Sequence, residues 1–259
     1  GIPYSLLALK KMFGDWDKAV GDGWPAIYMG NHDQPRMISR FGSDLPEFRE
    51  VSARMLITFL LTMRGTPYWY AGDEIGMVNA GFNHIGDYRD VAVLNQYKSF
   101  RKHRKDMTEF MEQQKQISRD NARTPMQWDD TPNAGFSSVT PWLKVNAGYR
   151  KVNVVVEEKN PDSVLNYFRK MIAFRKANPE LIFGTWKPVD RKNSKVFAYI
   201  RDGGERKFLV ILNFSCRGAS CRPGICLTGA EALLDNYNDC PPLGKEIRLR
   251  PFEALVLIL

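Results

Sequence analysis

Pro25-Ala26-Ile27-Tyr28-Met29-Gly30-Asn31-His32-Asp33-Gln34-Pro35-Arg36 joins a short apolar run directly to a dense polar cluster. Residues 25–29 read as a buried strand, being brief, apolar and bounded by Gly and Pro signals. Upstream, residues 4–18 carry Leu6, Leu7, Leu9, Met12 and Phe13 at helical spacing, and that pattern predicts a helix ending near Gly14. Downstream, residues 47–63 repeat the helical period with Val51, Met55, Leu56, Phe59, Leu60 and Met63, until Gly65-Thr66-Pro67 stops it. Tyr68-Trp69-Tyr70-Ala71 then reads as a second strand, closed by the polar Gly72-Asp73-Glu74. Two helix-then-strand units, each strand followed by polar residues, predict a parallel sheet with a site at its C-terminal edge, the logic of a β/α barrel.

The remainder divides in kind. Residues 79–142 are a long irregular stretch with one predicted helix over 94–117, and a loop of that length in a compact domain is usually functional. Ser163 starts another helix, with Leu165, Phe168, Met171, Ile172 and Phe174 on its apolar face and Asn178-Pro179 at its end. From Leu181 onward short apolar runs (196–200, 208–212 and 254–258) are separated by Gly, Asp, Asn and Pro turns, which predicts an antiparallel β domain. The expected organisation is an α/β domain over 1–180 and a C-terminal β domain over 181–259. No internal repeat or low-complexity segment is evident.

Composition narrows the function. The 259 residues are 44% hydrophobic and 25% charged, ordinary for a soluble globular protein with a substantial core. No apolar run approaches the roughly 18 residues of a membrane span; the best, 55–63, is followed at once by Arg64. The formal charge of +8 invites a nucleic-acid reading, but bases and acids are interspersed along 101–115 and 169–175, as on solvated helix faces, so no nucleic-acid partner is expected. Cys216, Cys221, Cys226 and Cys240 lack the paired spacing of zinc knuckles, and the three histidines lie far upstream; reduced thiols, a cytoplasmic setting, and no metal or cofactor are expected. The opening Gly1-Ile2-Pro3-Tyr4 has neither a basic leader nor an initiator methionine, which predicts a cut inside a longer chain whose missing part is more acidic.

Asn31-His32-Asp33-Gln34-Pro35-Arg36 after a buried strand resembles a conserved region of the α-amylase superfamily, glycoside hydrolase family thirteen, in its oligo-1,6-glucosidase, trehalose-6-phosphate hydrolase and dextran glucosidase branch. Further matches follow in order: Gly65-Thr66-Pro67-Tyr68, Gly72-Asp73-Glu74-Ile75-Gly76-Met77, Asp87-Tyr88-Arg89-Asp90, Arg119-Asp120-Asn121-Ala122-Arg123-Thr124-Pro125-Met126-Gln127-Trp128, Ala134-Gly135-Phe136-Ser137, Asn236-Tyr237 and Leu249-Arg250-Pro251-Phe252-Glu253-Ala254. The resemblance implies the C-terminal part of a TIM (β/α)8 barrel, about strands seven and eight with their helices, followed by a small antiparallel β-sandwich. It implies a retaining α-glucosidase acting on short oligosaccharides. It also implies that the nucleophile Asp and the acid/base Glu belong to a missing N-terminal barrel half, so that this chain alone is inactive.

Retaining hydrolysis uses two carboxylates about 5–5.5 Å apart, and the resemblance adds a third that favours the oxocarbenium-like transition state. By similarity Asp33 is that third carboxylate, with His32 and Arg119 binding sugar hydroxyls; the planar fork of Arg119 suits paired hydroxyls. Arg36 either binds sugar or braces Asp73 and Glu74. Trp69, Tyr70 and Trp128 read as core aromatics. Two departures stand out: Asp73 replaces a common Glu, and Ala92 replaces a Glu that faces the second sugar in α-1,6-cleaving relatives, so linkage preference does not carry over. The expected partners are an oligosaccharide, the missing barrel half and, through open strand edges, a second copy. Two alternatives stay open: a non-catalytic glucosidase-like interaction domain, and a sugar-binding module in the β domain resting on Trp186.

Overall fold

The computed structural model describes residues 4–103 and 105–259. In chain order the elements are α1 (Leu6–Val20), β1 (Ala26–Ile27), α2 (Met37–Phe41), α3 (Pro46–Thr62), β2 (Thr66–Pro67), α4 (Val91–Lys102), α5 (Met107–Ile117), α6 (Val154–Lys159), α7 (Val164–Ala177) and α8 (Glu180–Phe183). Seven strands follow: β3 (Thr185–Val189), β4 (Val196–Asp202), β5 (Lys207–Asn213), β6 (Ala219–Cys221), β7 (Glu231–Asp235), β8 (Ile247–Leu249) and β9 (Ala254–Ile258). An α/β part is thus followed by antiparallel sheets. Two compact units divide the chain, one holding Met29–Arg40 and Trp69–Asn166, the other holding residues 4–28, Phe41–Tyr68 and Tyr167–Leu259.

In the second unit, Ser5 caps α1 through its hydroxyl oxygen, which accepts from the Ala8 N–H at 3.2 Å. The helix runs past its expected end at Gly14 to Val20 and stops at Gly21. An interior glycine costs only about 1 kcal/mol, and Gly14 lies against the Trp186 ring, where an added Cβ would stand in ordinary contact at 3.8 Å.

β1 and β2 pair in parallel, Ala26 opposite Thr66 and Ile27 opposite Pro67. The expected strand over 68–71 is therefore displaced: the pairing residues are those read as a stop signal. The ladder draws on the N–H groups of Thr66 (to Pro25 O, 2.9 Å) and Tyr68 (to Ile27 O, 2.7 Å), so Pro67, which has no N–H, costs nothing between them. Gly65 makes the approach possible, because its φ is 111° and a Cβ there would sit 2.4 Å from Pro25 O.

Every residue of α3 from Met55 to Thr62 is buried, hydroxyls included. Thr58 Oγ1 bonds to Tyr167 OH at 2.7 Å, and Thr62 Oγ1 bonds to Tyr199 OH at 2.6 Å, so the buried polar atoms are satisfied. The turn after α3 is held by Arg175, whose guanidinium donates to the carbonyls of Leu61, Met63, Leu181 and Gly65 at 2.7–3.0 Å. Burial lowers the Arg175 pKa to about 10.

The main sheet has the order β3-β4-β5-β9-β7, antiparallel throughout, and β6 pairs with β8. One face (Val196, Ala198, Ile200, Leu209, Ile211, Leu255, Leu257) packs with Cys221, Ile247 and Leu249 of the small sheet. The other face carries Phe197, 5.4 Å from the Phe59 ring of α3, and Arg201, which donates to Thr62 O at 2.9 Å. Burial on both faces explains why these strands read as continuous apolar runs. Trp186 belongs to this packing, only 9% exposed and 6.1 Å from Tyr199, so it offers no platform for a sugar.

In the first unit the helix expected over 94–117 is two helices. Asp106 interrupts it as an N-cap, accepting from the N–H groups of Thr108 (2.8 Å) and Glu109 (3.2 Å). α4 and α5 then fold on each other, Phe100 against Phe110 at 5.0 Å, over a core of Phe82, Tyr88, Val93 and Phe110. The loop that follows is tightly held. Asn133 and Ala134 have φ of 57° and 58°, a left-handed pair that costs roughly 1–2 kcal/mol per residue. Trp128 N donates to Ala134 O at 2.9 Å, and Asn133 Nδ2 donates to Ser137 O and Val139 O.

Candidate functional site

His32 and Asp33 lie in the turn after β1, where Asn31 Oδ1 accepts the Asp33 N–H at 2.8 Å. The Asp33 carboxylate is half-exposed at 52%. Its Oδ1 accepts from Arg119 Nη1 at 3.2 Å and from Arg123 Nη2 at 2.8 Å, while His32 Nε2 lies 3.3 Å from Oδ2. The structure thus brings Asp33, His32 and Arg119 together from loops 86 residues apart in the chain. Arg123 completes the cluster by donating through Nε to His32 O at 2.8 Å.

Arg119 is aimed by Asp90, which accepts from Nε at 2.5 Å and from Nη2 at 2.7 Å. These bonds hold the Asp90 carboxyl below the usual carboxylate range and the guanidinium above its own. Asp90 also accepts from Ala92 N at 2.9 Å, so one side chain caps α4 and orients Arg119. The backbone of that cap is fixed in turn by Asp120, wholly buried, whose Oδ2 accepts the N–H groups of Arg89 (2.7 Å) and Asp90 (2.8 Å). Ala92 sits exposed at the start of α4.

Arg36 is elsewhere in kind. It is 2% exposed, and its Nη1 donates to Ala71 O at 2.6 Å and Asp73 Oδ1 at 3.4 Å. Its guanidinium lies 5.3 Å from the centre of the Tyr70 ring, and its backbone N–H donates to Asn79 Oδ1. Of the two roles open in the sequence, burial and partners match the brace, and the side chain also lines the cavity beside Tyr70. Gly72, at φ 97°, leaves room for it, since a Cβ there would lie 2.9 Å from Arg36 Nη1 and 2.4 Å from Met77 Sδ. Burial pushes the Asp73 carboxyl up to about 7 against the opposing pull of Arg36.

Tyr70 is a wall rather than core, its hydroxyl donating to Ala122 O at 3.0 Å. Together with Arg123, Phe136 and Trp142 it lines a cavity of about 270 Å³. Trp128, read as core in the sequence, is 48% exposed. The motifs contain Arg123, Asp90 and Asp120, none of which the sequence marks as a site residue. The available signal was the four-residue spacing of Arg119 and Arg123, which sends two guanidinium groups from one short turn to the same carboxylate.

The arrangement presents one accessible carboxylate between two cations and an imidazole, a set that can both accept from and donate to adjacent hydroxyls. Asp90 and Asp73 are spoken for by arginines and buried. No group of three or more potential metal ligands occurs among the described residues. No helix among them is long and apolar enough to cross a membrane.

Residues 2–184 match the family described as alpha amylase, catalytic domain. An oligo-1,6-glucosidase of Parageobacillus thermoglucosidasius is 45% identical over 98% of this chain and 46% of its own length. A trehalose-6-phosphate hydrolase of Bacillus subtilis is 39% identical over 98% and 46%. The crystal structure of Bacillus licheniformis trehalose-6-phosphate hydrolase superposes with a TM-score of 0.94 at 36% identity, covering 98% of this chain and 47% of that one. The chain spans about half the length of the relatives it matches.

Proposed function

This chain belongs to the alpha-amylase family, and we propose that its loops form part of the glucose-binding subsite of a retaining α-glucosidase acting on short oligosaccharides. The observation that carries the reading is the exposed Asp33 carboxylate clasped by Arg119, Arg123 and His32. In this role Asp33 accepts from hydroxyls of the sugar and its charge favours the oxocarbenium-like transition state, an interaction that strengthens as positive charge develops. His32, Arg119 and Arg123 donate to the same ring's hydroxyls, Asp90 and Asp120 hold Arg119 in place, and Arg36 is a positioning residue.

The attacking and proton-donating carboxylates come from outside these 259 residues, so this chain alone does not hydrolyse glucosides. On this reading residues 1–180 are part of a (β/α)8 barrel, β1 and β2 are its seventh and eighth strands, and residues 181–259 form a C-terminal β-sandwich. The partner is the N-terminal barrel half. Exposed Trp24, Tyr28, Tyr68 and Phe183 are apolar surface for that half to cover, or for self-association in its absence. Retention of the clasped Asp33 cluster favours a sugar-handling parent over a purely structural relative.

The test is twofold. The purified chain is expected to leave p-nitrophenyl α-glucoside intact. It is also expected to bind 1-deoxynojirimycin weakly by calorimetry, with Asp33→Asn removing that heat. Hydrolysis by the chain itself, or binding indifferent to Asp33→Asn, would defeat the proposal.

A further inference from the structure

Beside the cavity of Arg123 and Tyr70 lies a second groove of about 370 Å³, lined by Asp87, Arg89, Asn133, Trp142, Lys144 and Tyr149. That volume is in the range of small-ligand sites, about 300–1,000 Å³. Pro141 and Trp142 line both spaces, so Trp142 forms a shared ridge between them. The indole is 63% exposed, although its neighbour Leu143 is buried to 1%. An exposed tryptophan beside a buried leucine is a ring held outward by its own anchor, not a frayed end.

The rest of the loop is similarly built. Asn146 Nδ2 donates to Val78 O at 3.0 Å and Asn79 O at 3.2 Å, and Asn146 Oδ1 accepts from Gly148 N at 2.9 Å. The left-handed pair Asn133 and Ala134 keeps the other end of the loop in a conformation that L-residues avoid. Strain and anchoring are thus combined to present a large ring to solvent, which is the pattern of a surface pre-organised for a ligand.

The rim selects the chemistry. Arg89 Nη1 is held by the carbonyls of Gly86 and Tyr88, and Lys144 Nζ stands 3.9 Å from Asp87 Oδ2, so each cation of the rim has a neighbour within the loop. Donors and acceptors around an exposed ring match a neutral polyol with one apolar face, that is, a pyranose.

We infer that this groove is a further glucosyl-binding subsite, in which Trp142 stacks on a sugar unit of an oligosaccharide extending away from Asp33. The inference rests on the glucoside reading of the Asp33 site for its ligand class, but its readout is separate. Isomaltotriose and maltotriose are titrated into the full chain while the Trp142 indole N–H resonance, assigned by Trp142→Phe, is followed by NMR. Either trisaccharide is expected to shift that resonance with a millimolar Kd. Trp142→Ala weakens trisaccharide binding about tenfold or more, and Trp142→Phe, which keeps a stacking face and controls for folding, retains most of it. Asp33→Asn leaves the Trp142 shift in place. If neither trisaccharide moves the resonance, or if Trp142→Ala binds as wild type does, the groove is not a subsite, whatever the Asp33 site does. If instead Asp33→Asn fails to affect 1-deoxynojirimycin while the Trp142 shift persists, the proposed function falls and the groove stands.

Discussion

Replacing Asp73 with Asn is expected to raise stability at neutral and alkaline pH and to do almost nothing near pH 4. Asp73 is 2% exposed, and burial lifts its carboxyl from 3.8 to about 7 despite Arg36. Burial outweighs the ion pair because the guanidinium gives its shortest bond to Ala71 O and reaches Asp73 only at 3.4 Å. A folded-state pKa above the unfolded value means that the folded state binds the extra proton. The contribution is therefore fully present below about pH 4 and is lost as pH rises through about 7. Converted at 1.36 kcal/mol per pH unit, that interval amounts to at most about 4 kcal/mol, and local relaxation reduces it to roughly 2–4. Asn keeps the shape and an acceptor for Arg36 but cannot ionise. Thermal melts of both proteins from pH 4 to 8 should coincide at the acid end and diverge on the way up. At pH 8 the variant is expected to melt on the order of 4–16 °C higher, at about 2–4 °C per kcal/mol for a chain of this size. Other carboxylates are common to both proteins and cancel in the difference. Parallel profiles, or a wild type that gains on the variant between pH 4 and 7, would show that the ion pair with Arg36 outweighs desolvation and would refute the reasoning.

Two further perturbations test the supports of the fold and the site. Arg175→Met orphans buried carbonyls of Leu61, Met63, Gly65 and Leu181 and should cost about 3–5 kcal/mol in urea unfolding; Arg175→Lys, a point donor without the fork, should fall between. Asp120→Ala strips the Arg89 and Asp90 N–H groups of their acceptor; a loss of about 2–4 kcal/mol is expected, with faster amide hydrogen exchange at Arg89 and Asp90, and unchanged exchange there would count against the assigned role.

The helix-then-strand alternation was legible because buried helices and strands advertise themselves by period and by the Gly and Pro residues between them. Aromatic content marks residues 68–71 as a strand, whereas pairing goes to Thr66–Pro67, where Gly65 alone lets the backbone approach Pro25 O. The helix expected over 94–117 was divided because Asp106, an ordinary charged residue in a periodic pattern, became a cap once its side chain turned back on Thr108 and Glu109.

The site divides along the same line. The sequence alone determined where the polar motifs and turns stand, because motif order, turn residues and charge are local properties written along the chain. Asp33, His32 and Arg119 could be named from it. Only the tertiary structure decided that Arg36 is buried as a brace, that Arg123 shares Asp33 with Arg119, and that Asp90 and Asp120 hold Arg119 in place. Those facts depend on which loops meet across dozens of residues, and on which charges lose their water in meeting. Neither spacing nor composition encodes that outcome locally; it is settled by the packing that closes the loops together.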